Sequence, residues 1–382
     1  MKLLRVLGVL VAAGCAAAPS ALERHVRVLA SPEFEGRAAG TEGERRAAEY
    51  LAGEMRRLGL EVHVQEFPGH GGRGRNVIGV LRGRSDEAVV LGAHYDHLGK
   101  DGERIYVGAD DNASGTAVVL EAAARLARRP PARTVIFACF SGEETGLHGS
   151  RHYVHHPIVP IEKTVAMVNL DMVGRLRDRL IVFGADSGDR FREYLAASPV
   201  PVAFNQDPVG PSDHTSFYLK GVPAVHLFTG AHADYHKPTD TADRVNYDGL
   251  ARVADLVEGL VRRIADAPER MAFRKVASPA AAAGSAPSGA TPYFGSVPDY
   301  GFEGKGVRLS GVSAGSPAEK AGLRDGDVIV ALDGQDVPDV RAYSQLLFSR
   351  RPGQEIEVEF EREGRRLRAK ATLSARRPRS EE

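Results

Sequence analysis

Cysteine is nearly absent from these 382 residues: only Cys15 and Cys139 occur, and a disulfide framework is excluded by count. An excess charge of one sign is missing too, since 50 Lys and Arg balance 50 Asp and Glu. No global field favours nucleic acid, and no basic patch interleaved with aromatics occurs. The apolar run near the start, within Met1 to Gly14, is too short to span a bilayer. What is present suffices for packed cores: 43% hydrophobic and 26% charged residues, over a length that suggests two or three domains. Cys139, inside the apolar run 134–140, reads as a small buried hydrophobe.

The first fifteen residues have a different character. Lys2 and Arg5 accompany a short apolar stretch that ends in small residues, the layout of a secretory signal. Val11-Ala12-Ala13-Gly14-Cys15 resembles a bacterial lipobox, in which Cys15 becomes the lipidated first residue; Ala12 stands where leucine is usual. The expectation is an exported protein, lipid-anchored and facing the periplasm, with plain secretion as the alternative. The anchor would be its only membrane contact.

From Ala21 the pattern is helical, and after the turn 36–40 Thr41 stands three residues before Glu44, a capping box for a helix running to about 58 with Gly59 as its stop. Alternating strands are expected at 61–67 and 76–81, joined by a glycine-rich link at 69–74 that lacks the spacing and following helix of a phosphate cradle. Further strands are expected at 87–94, 133–140, 164–170, 179–183 and 223–228, with helices at 114–127 and 250–265. Strands alternating with helices imply a wound sheet with helices on both faces, and ligands in such sheets gather beyond the strand carboxyl ends. Residues 21–267 form this unit, 277–292 are a linker rich in Ala, Ser, Gly and Pro, 293–374 a second small domain, and 375–382 a tail.

Each strand end carries a polar cluster: His94-Tyr-Asp96-His97, Asp110-Asp111 in the loop beyond, Glu143-Glu144, Asp171 and His236. Singly, each could be a solvated surface group. Together, His94, Asp111, Glu144, Asp171 and His236 make a mixed imidazole and carboxylate set suited to zinc. Five ligands exceed the need of one tetrahedral ion. If Asp111 bridges, they divide into two ions, with His94 and Asp171 on one and Glu144 and His236 on the other. Glu143 is then the natural general base, and Asp96 is placed to accept the other ring N–H of His94.

These motifs, with Gly108-Ala-Asp-Asp111-Asn-Ala-Ser-Gly115, Ser212-Asp-His214 and Tyr235-His236-x-Pro-x-Asp240, resemble the di-zinc exopeptidase family of bacterial leucyl aminopeptidases, glutamate carboxypeptidases and glutaminyl cyclases. The resemblance covers roughly 21–267 and implies a three-layer α/β/α mixed sheet, two zinc ions held as above, peptide substrates, and often a cis peptide after the bridging aspartate, here Asp111–Asn112. It offers Tyr235 to stabilise the oxyanion, because 207–210 lacks the tyrosine that other members place before Ser-Asp-His. His214 and Asp213 are expected in the cleft wall or just behind the ligands, His97 in the cleft lining, and His155 and His156 in solvent.

With Gly306-Val-Arg-Leu-Ser-Gly-Val-Ser-Ala-Gly-Ser-Pro317-Ala-Glu-Lys-Ala-Gly322-Leu-Arg-Asp-Gly326-Asp327-Val-Ile-Val-Ala-Leu-Asp-Gly334, the second unit resembles a PDZ domain of the bacterial periplasmic-protease type, a small β-barrel-like fold, over about 292–373. Tyr293-Phe294-Gly295-Ser296 matches its carboxylate-binding loop, which would hold a peptide C-terminus while the peptide adds a strand. Pro298 departs from that pattern by removing one ladder donor, so a C-terminal peptide ligand and an intramolecular or regulatory role both stay open. The expected activity is zinc-dependent removal of an N-terminal residue; a carboxypeptidase of the same family and a non-catalytic peptide-binding scaffold are the alternatives.

Overall fold

The computed structural model describes residues 19–69, 72–205, 210, 212–276, 292–298, 302, 304–312 and 315–375. The signal with Cys15, the linker 277–291 and the tail from 376 lie outside the described residues.

Ser20 caps α1 (Ala21–Leu29), its hydroxyl accepting the Glu23 N–H at 3.1 Å. Thr41 accepts the Glu44 N–H at 3.3 Å to start α2 (Glu42–Arg57), which Gly59 ends at a φ of 78°. Only this half of the capping box forms. The buried Glu44 carboxylate instead accepts from Arg75 at 2.9 Å and from the Tyr95 hydroxyl at 2.7 Å. β1 (Glu61–Gly69) and β2 (Gly72–Leu81) pair antiparallel, with Phe67 opposite Gly74 and Gly69 opposite Gly72. The glycines expected as a link are therefore largely strand. At Gly74 a Cβ would meet the Phe67 ring at 2.6 Å, so the missing side chain is what seats that ring.

In chain order there follow β3 (Ala88–His94), a hairpin of β4 (Gly99–Asp101) and β5 (Arg104–Tyr106), α3 (Gly115–Ala127), β6 (Thr134–Phe140), α4 (His148–His155), β7 (Thr164–Leu170), β8 (Leu180–Phe183), α5 (Phe191–Ala196), β9 (Val202–Phe204), α6 (His214–Tyr218), β10 (Ala224–Phe228) and α7 (Tyr247–Asp266). The sheet order is β1-β2-β6-β3-β7-β10-β8-β9. β6, β3, β7 and β10 run parallel, and direction reverses at the β2/β6 and β10/β8 pairs. The sheet is thus mixed. β3 is the switch strand: the chain leaves it to one side for β6 and returns on the other for β7, which opens a crevice at its carboxyl end.

Alternate residues of β3 feed two cores. Val89, Leu91 and Ala93 pack with α1, α2, α3 and α7, while Ala88 and Val90 pack with Tyr153, Val154, Phe217 and Tyr218 from α4 and α6. Both faces are covered, which gives three layers and explains why β3, β6 and β7 are apolar without alternation.

The C-terminal part contains β11 (Pro292–Tyr293), β12 (Ser296–Pro298), β13 (Val307–Val312), α8 (Pro317–Lys320), β14 (Val328–Leu332), β15 (Gln335–Asp336), α9 (Val340–Phe348), β16 (Glu355–Arg362), β17 (Arg365–Thr372) and β18 (Ser374–Ala375). Its main antiparallel sheet runs β12-β13-β14-β16-β17 around its own core of Phe294, Leu309, Ile329, Val358 and Phe360.

Candidate active site

Burying an unpaired polar group costs roughly 1–3 kcal/mol. β3, buried along all seven residues, accordingly stays apolar until its last position, His94. The loops after β3, β6, β7 and β10 then converge on one polar cluster.

His94 Nδ1 faces the backbone carbonyl of Asp96 at 3.2 Å, which turns Nε2 toward Asp171 Oδ1 at 3.2 Å and Asp111 Oδ1 at 3.4 Å. The expected partner, the Asp96 carboxylate, stands 3.7 Å from the ring. It accepts instead from the backbone N–H groups of Glu143 at 3.2 Å and Glu144 at 3.4 Å, and so holds the loop after β6. His236, at a left-handed φ of 55°, sets Nε2 3.2 Å from Asp111 Oδ2 and 3.1 Å from Glu144 Oε2. Asp111 therefore turns one carboxylate oxygen to each histidine. Glu143 Oε2 lies 4.0 Å from His94 Nε2, with its side chain 10% exposed. The exposed Tyr235 ring stacks on His236 with centroids 3.8 Å apart.

Several supporting residues carried no assigned role in the sequence reading. Asp240 Oδ2 accepts from the N–H groups of Asp110 at 2.8 Å and Asp111 at 3.0 Å, while Arg175 donates to its Oδ1 at 3.0 Å. Asp110 accepts from Gly174 N–H at 2.6 Å and lies 3.1 Å from His232 Nε2. The Asp111–Asn112 peptide is cis. Arg37, fully buried and without a carboxylate ion-pair partner among the described residues, donates to the carbonyls of Leu29, Tyr95, Val107 and Gly108 at 2.5 to 2.9 Å, tying the loop after β3 to the Asp111 loop. Asp240 was visible as the end of a motif; Arg37 had no signal beyond its place in a glycine-flanked turn. His97, expected to line the cleft, is 1% exposed, with Nδ1 2.7 Å from Glu144 Oε1. Asp213 and His214 are fully buried and so lie behind the cleft, not in its wall. His155 and His156 are exposed.

The electrostatics follow from crowding. Burial and the neighbouring Glu144 push the Asp111 carboxyl up. Burial, reinforced by Asp171 and Glu144, holds Glu143 well above the usual carboxylate range. Against burial, His236 and His97 hold Glu144 well below it. Also against burial, Glu144 and Asp111 raise His236 to about 10, and Glu143 and Asp171 raise His94 well above its ordinary value. Protons on imidazole thus stand where a cation would neutralise the carboxylates. The donor types, nitrogen and carboxylate oxygen within 4.8 Å of one another in the groups His94/Glu143/Asp171 and His97/Asp111/Glu144, fit zinc.

In the C-terminal part, Phe294 is buried and its carbonyl accepts from Ala318 N–H at 2.9 Å. Gly295 takes a φ of 83°, with Ser316 where a Cβ would stand. Ser296 bonds across to Tyr343 of α9 at 2.5 Å, and the Tyr293 carbonyl accepts from Ser374. The register between β12 and β13 shifts at Val297/Pro298, where the proline cannot donate.

Residues 76–261 match peptidase family M28, and residues 288–373 match the PDZ domain. Leupeptin-inactivating enzyme 1 of Streptomyces exfoliatus is 31% identical over 214 residues, which cover 54% of this chain and 47% of the relative. The probable lipoprotein aminopeptidase LpqL of Mycobacterium tuberculosis is 29% identical over 232 residues, covering 50% and 44%. This chain thus spans about half the length of these two curated relatives. Among solved structures, BSAP, a zinc aminopeptidase from Bacillus subtilis, shares the fold with a TM-score of 0.56 at 20% identity, over 63% of this chain and 93% of that one. The strand-end cluster accordingly lies within the stretch that matches peptidase family M28, and the C-terminal part within the stretch that matches the PDZ domain.

Proposed function

We propose that this protein is an exported zinc aminopeptidase that holds two ions, one between His94, Asp171 and Asp111 and the other between Glu144, His236 and Asp111. The observation that carries the reading is the division of the Asp111 carboxylate, Oδ1 toward His94 and Oδ2 toward His236. Zinc bound there would polarise the scissile carbonyl and raise the reactivity of water. Glu143 takes a proton from the attacking water at its carboxylate and hands it to the leaving amine. Tyr235 donates its phenol to the developing oxyanion. Asp96 holds the Glu143–Glu144 backbone and keeps both carboxylates aimed into the cleft. Removal of the N-terminal residue, in preference to the C-terminal one, is supported by the relatives' names.

Export and a lipid anchor at Cys15 are supported by the lipobox-like segment and by the lipoprotein relative. No described helix is long and apolar enough to cross a membrane. The PDZ loop Tyr293-Phe294-Gly295-Ser296 is the place for a peptide C-terminus, with Ser296 already engaged by Tyr343.

A panel of aminoacyl chromogens, run beside N-blocked and C-terminal substrates, tests the activity. Turnover confined to free N-termini is expected. Turnover of N-blocked peptides from the C-terminus makes it a carboxypeptidase, and none with any substrate at full zinc loading makes it a scaffold.

A further inference from the structure

We propose that His97 is a positioning residue for the second ion: its Nδ1–H clamps one oxygen of Glu144 and leaves the other for the metal. This rests on the two-ion reading above. Glu144, like Asp111, turns its two oxygens to different imidazoles, but one of its contacts closes to hydrogen-bond length: Oε1 faces His97 Nδ1 at 2.7 Å, and Oε2 faces His236 Nε2 at 3.1 Å. The two rings differ in kind. His236 Nε2 is nearly equidistant from Asp111 Oδ2, at 3.2 Å, and Glu144 Oε2, as a group facing a shared centre is. His97 Nδ1 is closed onto one oxygen at hydrogen-bond length and stands 3.7 Å from Asp111 Oδ2.

The surroundings fix the ring. The His97 N–H donates to the Arg37 carbonyl at 3.3 Å. Gly108 lies flat against the imidazole: a Cβ there would fall 2.5 Å from Cδ2 and 2.6 Å from Cγ, so only glycine lets the ring sit where it does. Nε2 is buried without a hydrogen-bond partner among the described residues. A buried N–H without an acceptor is costlier than an unpaired lone pair, so the proton of the neutral ring belongs on Nδ1, where Glu144 takes it. With Oε1 occupied, Glu144 can give the metal only Oε2. Partners of this kind, which hold a ligand rather than the ion, typically change metal affinity by about 10- to 100-fold.

Zinc titration of the metal-stripped full chain against a chromogenic chelator reads both dissociation constants, with thermal melts to check folding. His97→Ala should weaken one of the two ions by roughly 10- to 100-fold and leave the other unchanged. His97→Asn, whose amide N–H reaches the place of Nδ1, should recover affinity to within about threefold; His97→Gln, whose amide matches Nε2, should not. The Asn and Gln pair decides the matter if the alanine variant does not fold. Unchanged affinity in His97→Ala, or equal affinity in Asn and Gln, overturns the positioning role. So does loss of one ion in Asn as well as Ala, which would make His97 a direct ligand. Uptake of a single ion by the wild-type chain would instead overturn the two-ion reading itself.

Discussion

The PDZ domain and the strand-end cluster of the peptidase domain treat their carboxylates in opposite ways. In the PDZ domain, Asp327 has no exposed side-chain surface and is met by both Nε and Nη2 of Arg362 at 2.7 Å, with the Arg324 N–H at 2.8 Å. Glu359 on β16 faces Arg366 at 2.9 Å and Arg368 at 3.0 Å on β17, and Glu355 faces Lys370 at 2.9 Å. In the peptidase domain, Asp111, Glu143, Glu144 and Asp171 are brought together, and among the described residues their ion-pair partners are histidines. Charge neutralised inside the chain belongs to the scaffold. Charge left to a titratable ring marks a place where an external cation fits.

The sharpest way to break this contrast is Glu143→Gln, which keeps the shape of the one carboxylate proposed to act on water instead of on a metal. Turnover should fall roughly a thousandfold, with zinc content by emission spectroscopy unchanged; retained turnover would remove Glu143 as the base. Next in size is chelation. An ion present at a hundred times its dissociation constant stabilises the folded state by about 2.7 kcal/mol, so stripping zinc should lower the melting transition of the peptidase domain and leave that of the PDZ domain in place. Equal melting with and without chelator would show that the acidic cluster needs no cation. Arg362→Ala tests the other side. Stranding buried Asp327 should cost about 3 kcal/mol in urea unfolding of the PDZ domain, while zinc uptake and turnover stay at wild-type levels. The smallest effect belongs to the exposed pair Lys370 and Glu355: Lys370→Ala should leave the melting temperature within measurement error, because solvent screens such pairs.

Much of this was legible in the residues. Uninterrupted apolar runs at 88–94, 134–140 and 164–170 mark strands covered on both faces, and the abrupt change to His, Asp and Glu at their ends marks where a wound sheet opens to a ligand. The five donors His94, Asp111, Glu144, Asp171 and His236 were nameable from residue type and position alone. Less legible was everything one contact further out. The glycines before Asn76 read as a link because glycine signals turns, yet they are largely strand, since pairing with β1 and the Phe67 ring decide it. The β4 and β5 hairpin is too short to carry a periodic pattern.

Residue order by itself determined the strand ends, the chemical types gathered there and the division into two folded parts, because periods of 2 and 3.6 residues and abrupt polarity changes are local properties of a chain. Only the tertiary structure decided that the carbonyl of Asp96, not its carboxylate, meets His94, that Arg37 bridges four carbonyls, and that His97 holds Glu144. Apart from the His94–Asp96 contact, two positions apart, those contacts join residues 8 to 71 positions apart, and their partners are chosen within a few tenths of an ångström once the sheet is wound. No local pattern carries that information.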